Sequence, residues 1–214
     1  MAKPMNKNDW YRNTEWNEQV EMAFTAKLKR ARNKSQYLRI QASMISQSYP
    51  KQALKLLDEY FTLGEDFDFA QAYVDRASAY LSLNQVNNAL QSYEDALKRE
   101  AEFPKLLTNA YLHYPFVIAK REIRHLFQDA LTVLDKHSNR PMFPIDRYKW
   151  NASKALIYSV LGETESARNF AIHALKAGNE DESGFKYHQK SGLFQKKTAD
   201  QKAYKKLTAL TKGI

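Results

Sequence analysis

The 214-residue chain carries a net charge of +9, with 43% hydrophobic and 27% charged residues, the make-up of a globular protein. Its 6 Gly and 6 Pro supply too little turn material for an all-β fold, and no apolar run approaches the ~20 residues of a membrane helix, so no membrane partner is expected. The absence of cysteine excludes disulfides, thiolate metal sites and thiol nucleophiles and suits a reducing compartment, with the cytoplasm the expected location.

Met1 to Asn8 contains a basic residue but no apolar stretch behind it, so no secretory signal is expected. Asn13-Thr14 opens a predicted helix with Trp16, Val20, Phe24 and Leu28 at i+4 spacing. Glu15, Glu18 and Glu21 lie in its early turns, and Lys27, Lys29, Arg30 and Arg32 at its end, an order that complements the helix macrodipole. Dipole pairing on a solvated face accounts for these cations; the alternative is a polyanion-binding surface. From Met22 to Leu57 there are eight cations and no acid. The residues from Ser183 onward carry +7, which leaves −6 for the remainder.

Further along, the small residues fall into a repeat. From Ala77, Tyr80 follows at +3, Asn84 at +7, Ala89 at +12, Tyr93 at +16 and Ala96-Leu97 at +19 and +20. From Ala155 the same offsets return Tyr158, Gly162, Ala167, Ala171 and Ala174-Leu175. Small residues let two antiparallel helices approach closely, and Asn84 and Gly162 tolerate the left-handed conformation that ends a helix. An earlier hairpin holds Ala42 and Ile45, a turn at Ser48-Tyr49-Pro50, then Ala53, Leu57 and Tyr60-Phe61. A worn copy lies between the two good ones, with Tyr114, Phe127 and Ala130-Leu131 in place. In that copy Tyr111 and Ile123 replace small residues, and Pro115 is expected to kink the first helix. Ser138 to Arg147, with two prolines, is expected to form a projecting loop. Glu65-Asp66-Phe67-Asp68 lacks the later ligands of a calcium loop and reads as a linker and helix cap. In Ser183 to Phe194, Phe185, Tyr187, His188 and Phe194 alternate with Lys186 and Lys190. Such a pattern can stack single-stranded bases, but packing of the aromatics on the last hairpin is preferred. Thr198 to Gln201 has a capping-box pattern leading into Ala203, Tyr204, Leu207 and Leu210, a helix that would cover the last seam.

This arrangement of small, aromatic, turn, small, aromatic and Ala-Leu positions resembles the tetratricopeptide (TPR) repeat. The segment Asp9 to Trp16, with KLKRAR and QYLRIQA after it, resembles the N-terminal part of a family of bacterial TPR-type proteins, a likeness that supplies no activity. The resemblance implies an all-α, right-handed α-solenoid of about four helical hairpins, with an N-terminal helix and a C-terminal capping helix. The expected divisions are an N-terminal segment and basic helix at 1–34, the array at 35–181 and a basic extension at 182–214. The alternative is a non-repeat helical bundle with Ala-rich seams. In a TPR-like stack the first helix of each hairpin lines a groove. The repeat alignment places Gln36, Arg39 and Ser43 there in the first hairpin and Gln71, Val74 and Ser78 in the second. Lys105, Thr108 and Asn109 follow in the third, and Lys149, Ala152 and Ser153 in the fourth. Arg39, Lys105 and Asn109 suit a terminal-carboxylate clamp of the TPR kind, but the full set is not met.

The five histidines form no zinc motif, and no Walker A loop, nucleophile elbow or dinucleotide fingerprint occurs. The expectation is a non-enzymatic scaffold with no cofactor or metal, binding a protein or peptide in the groove. The alternative is a nucleic-acid binder using Lys27, Lys29, Arg30, Arg32, Lys186 and Lys190. Self-association through Trp10, Tyr11 or the C-terminal helix is a variant of the scaffold.

Overall fold

The computed structural model describes residues 9–197 and 199–212, and every regular element among them is helical. Residues 1–8, Thr198 and Gly213, to which the signal, capping-box and helix-end readings refer, lie outside the described residues. The chain divides after Ala110 into two compact units, between the second and third hairpins of the expected array.

The first unit contains α1 (Glu18–Arg30), α2 (Lys34–Ile45), α3 (Pro50–Thr62), α4 (Phe69–Ser82) and α5 (Val86–Glu102). Helices α2 and α3 pair as one hairpin and α4 and α5 as the next, and α4 also packs on α3 and α2. The seam residues Ala42, Ala53, Ala77 and Ala89 are fully buried, as close helix approach requires, and Leu57, Tyr60 and Tyr93 fill the space beside them. Pro50 stands at the first position of α3, where its missing N–H costs nothing. Asn84 ends the turn after α4 at φ 57°, the left-handed geometry expected of it.

The start of the unit differs from expectation. Helix α1 begins at Glu18, not near Asn13, because the Asn17 side chain accepts from the Val20 N–H and caps it. Asn13 is held elsewhere. The fully buried Gln41 donates Nε2–H to the Asn13 carbonyl at 2.8 Å, and its Oε1 accepts from Asn13 N at 3.0 Å and Nδ2 at 2.8 Å. This clamp lays Trp10 and Tyr11 against Tyr37, with ring centres 4.9 and 4.6 Å away, and Trp10 also meets Phe24. Both rings thus cover the first hairpin of their own chain.

The second unit contains α6 (Ala110–Arg121), a 3-10 turn (Arg124–Leu126), α7 (Phe127–Lys136), α8 (Pro144–Leu161), α9 (Thr164–Gly178) and α10 (Gln201–Lys212). Helix α6 runs through Pro115. Ile123 does not sit in a helix seam but precedes the 3-10 turn, which explains why a bulky residue is tolerated there. Tyr114, Phe127, Ala130 and Leu131 are buried as the worn copy requires. The proline-rich connection is shorter than expected. Pro144 opens α8, and the Asp146 carboxylate accepts the Phe143 N–H at 3.2 Å, so residues 144–147 are helical. Gly162 ends α8 at φ 83°, and Ala155, Ala167, Ala171 and Ala174 are fully buried in the α8–α9 seam.

The segment 183–194 folds onto this hairpin. Phe194 stacks between Tyr148 of α8, 3.8 Å away, and Tyr204 of α10, while Phe185 meets Phe143. Gly192 accepts the Ile145 N–H at 2.8 Å, and a Cβ there would stand 2.5 Å from Phe143, so only glycine permits the approach. Helix α10 then packs on α9 and α8 through Ala203 and Leu207. Its cap is Asp200, whose Oδ1 accepts the Ala203 N–H.

Candidate functional site: the faces of the first helices

Helices α2 and α4 open the hairpins of the first unit. The polar residues expected to line them are knitted together instead of standing free. Arg39 pairs with Asp68 at 3.1 Å and with Asp75 at 3.2 Å. Gln71 donates to the other oxygen of Asp75 at 3.0 Å, and Ser43 also bonds this carboxylate. Ser46 and Ser78 meet hydroxyl to hydroxyl at 3.4 Å. Asp75 is only 6% exposed, and burial raises its carboxyl above the usual range against the opposing pull of Gln71, Arg39 and Ser43. With two carboxylates engaged, the Arg39 cation is neutralised. Val74 is buried, whereas Gln36 and Ser43 face solvent.

Lys105, Thr108 and Asn109 are not on a first helix. α6 begins at Ala110, so all three lie in the connection that precedes it. Thr108 is buried and bonds the buried Glu100 carboxylate through its N–H and its hydroxyl, whereas Lys105 and Asn109 are exposed. Helix propagation fails here because Pro104 cannot donate and the Thr108 hydroxyl takes the Ala110 N–H, an arrangement that favours a helix start at that point. The residues compatible with a terminal-carboxylate clamp are therefore not assembled: one is neutralised and two stand in a connection.

In the second unit, α6 and α8 are the opening helices. Lys149 of α8 donates its Nζ–H to Nε2 of His113 on α6 at 3.0 Å. Burial, then the Lys149 charge, pushes His113 down to about 3, so the ring is neutral and accepts. Burial also lowers Lys149, with Asp146 opposing and Lys120 reinforcing the shift. Among the described residues Lys149 has no carboxylate within ion-pair distance. Ala152 and Ser153, expected beside it, are fully buried, with the Ser153 hydroxyl donating to the Lys149 carbonyl. No metal-ligand spacing marks His113 in the sequence. The available signal was a lone polar residue in the apolar run Tyr111 to Ala119.

The remaining cations divide between two places. Lys27, Lys29 and Arg30 occupy the last turn of α1 and Arg32 follows it, all exposed. Lys186 lies 5.4 Å from the Tyr187 ring centre, and Lys190 donates to the Asp181 carbonyl. Tyr187 is 84% exposed, while Phe185 and Phe194 are packed inward, so the aromatics of this segment do not form a continuous stacking platform. Among the described residues no group of three or more His, Asp or Glu is placed to hold a metal ion, and no helix is long and apolar enough to cross a membrane.

Residues 70–103, which take in α4 from its second residue and all of α5, match the family model for the tetratricopeptide repeat. Comparison with curated proteins and with solved structures gives no match. Repeats of this kind bury their apolar faces only by stacking and expose extended surfaces that receive other proteins. Among the described residues the chain is thus all-α and TPR-like, built of helical hairpins, with a tetratricopeptide repeat at 70–103 of the kind that generally serves protein-interaction scaffolds.

Proposed function

We propose that the protein is a non-enzymatic cytoplasmic adaptor that receives a peptide or helix of a partner protein on the opening-helix face of its second unit. Lys149 carries the reading. It is a half-buried cation on an opening helix whose partner is a neutral histidine, so its charge is available to an acidic side chain of the partner. The first unit has a face of its own, where Ser43, Gln71 and Ser78 offer hydrogen bonds and Arg39 holds the Asp75 carboxylate that Ser43 and Gln71 bond, instead of clamping a partner's carboxylate. Lys105 and Asn109 lie in the connection before α6 and are no part of this face.

Immobilised protein and the Lys149→Glu variant, exposed to host lysate with and without nuclease, test this. A defined protein retained through nuclease and moderate salt by the parent, and lost from the variant, is the expected outcome. Equal capture by both refutes the assignment to Lys149. A polyanion reading rests on the exposed cations Lys27, Lys29, Arg30 and Arg32, with Lys186 and Lys190 as a second group. It requires recovery of nucleic acid that falls steeply as salt rises, because counterions are released on binding.

A further inference from the structure

The first unit carries a second surface of different chemistry. The connections 63–68 and 103–109 hold four large exposed apolar side chains: Leu63, Phe67, Phe103 and Leu107, with Phe67 76% and Leu107 63% exposed. Surface connections are ordinarily polar, and clustered exposed apolar side chains mark interaction sites. Phe67, Phe103, Pro104 and Leu106 line a cleft of about 580 Å³, within the size range of ligand sites.

Arg99 also lines it. The side chain is 13% exposed, salt-bridged to Glu65 at 2.9 Å and Glu102 at 3.4 Å, with its guanidinium 4.0 Å from the Phe103 ring centre. Its buried Nε–H has no hydrogen-bond partner among the described residues. A buried donor without an acceptor is costly, and the Arg99 side chain is held at the cleft against that cost by its two ion pairs and the Phe103 ring.

The charge around the cleft selects its occupant. The lining sets the three acids Glu65, Asp66 and Glu102 against the two cations Arg99 and Lys105, an acidic excess of one in a chain of net charge +9. Glu65 and Glu102 share the single Arg99 guanidinium and remain 68% and 47% exposed at the cleft. Exposed carboxylates beside apolar walls complement cations and repel phosphates.

We propose that this cleft docks a short segment of another protein, one with a bulky apolar side chain flanked by Lys or Arg. The apolar side chain enters between Phe67 and Phe103, and the flanking cations meet Glu65 and Glu102. The surface is separate from the opening-helix faces and stands or falls independently of them.

A phage-displayed random dodecapeptide library panned on the full chain supplies the probe. The selected peptide is then titrated by fluorescence polarisation against the parent, Phe67→Ser, Glu102→Lys and Lys149→Glu. Phe67 and Glu102 are exposed, and circular dichroism verifies that the variants fold. The expected peptides pair Trp, Phe or Leu with Lys or Arg. Phe67→Ser should weaken them about tenfold or more, the loss typical of removing a central anchor. Glu102→Lys should weaken them further at low salt than at high salt, and Lys149→Glu should leave them unchanged. No enrichment, enrichment of acidic peptides, or undiminished binding to Phe67→Ser overturns the proposal. So does a concentration-dependent dimer abolished by Phe67→Ser, since the occupant is then a second copy.

Discussion

Replacing Gln41 with leucine removes the clamp that holds the N-terminal segment on the first hairpin. The fully buried Gln41 makes three hydrogen bonds to Asn13, of 2.8, 2.8 and 3.0 Å. At about 0.5–1.5 kcal/mol net for each neutral bond, their loss amounts to about 1.5–4.5 kcal/mol. Leucine is nearly the same size and better suited to an apolar site, so part is regained, and about 2 kcal/mol is the expected net destabilisation. Asn13→Ala keeps the two backbone bonds but loses those from Nδ2 to Gln41 and to the Trp10 carbonyl, and should cost about 1–3 kcal/mol. Because the residues touch, the double variant should be less destabilised than the sum of the two. Urea unfolding measures the stabilities, and hydrogen exchange at residues 9–16 locates the effect. Trp10 and Tyr11, packed on Tyr37, should lose protection with Asn13. A Gln41→Leu protein as stable as the parent, with unchanged exchange at residues 9–16, would refute the reasoning.

Three further outcomes are expected. Ala89→Leu, at a fully buried position where α4 and α5 approach, should destabilise by about 1–3 kcal/mol through overpacking; an unchanged denaturation midpoint contradicts the repeat alignment. Gly162→Ala meets no atom within 4 Å, so its cost is backbone strain alone at φ 83°, about 1–2 kcal/mol in thermal melting; no loss would show that the turn relaxes freely. His113 is held neutral down to about 3, while the unfolded chain protonates it below its ordinary 6.5. Its contribution to stability is therefore complete above pH 6.5 and is lost as pH falls toward 3. His113→Gln should flatten that slope of denaturation free energy against pH, and parallel curves for the two proteins would exclude the assignment.

Spacing in the sequence was sufficient for the helical hairpins, their seams and their turns. Close helix contact demands small residues at fixed intervals, and a left-handed residue ends α4 and α8, so Ala77, Ala89, Asn84, Ala155, Ala167 and Gly162 announce themselves along the chain. Polar partnerships obey no such period. Arg39 reads as a groove cation in one dimension, yet Asp68 and Asp75, about thirty residues away, neutralise it. Likewise, Gln41 is an unremarked polar residue until Asn13 folds over it, and Lys149 acquires meaning only from His113 on another helix. The boundary of α6 was also beyond periodicity, because the Glu100–Thr108 contact holds the connection that carries Lys105 and Asn109. Backbone and packing constraints repeat locally and can be read from the chain, whereas the pairing of charges and hydrogen bonds depends on which distant groups tertiary folding brings within about 3 Å.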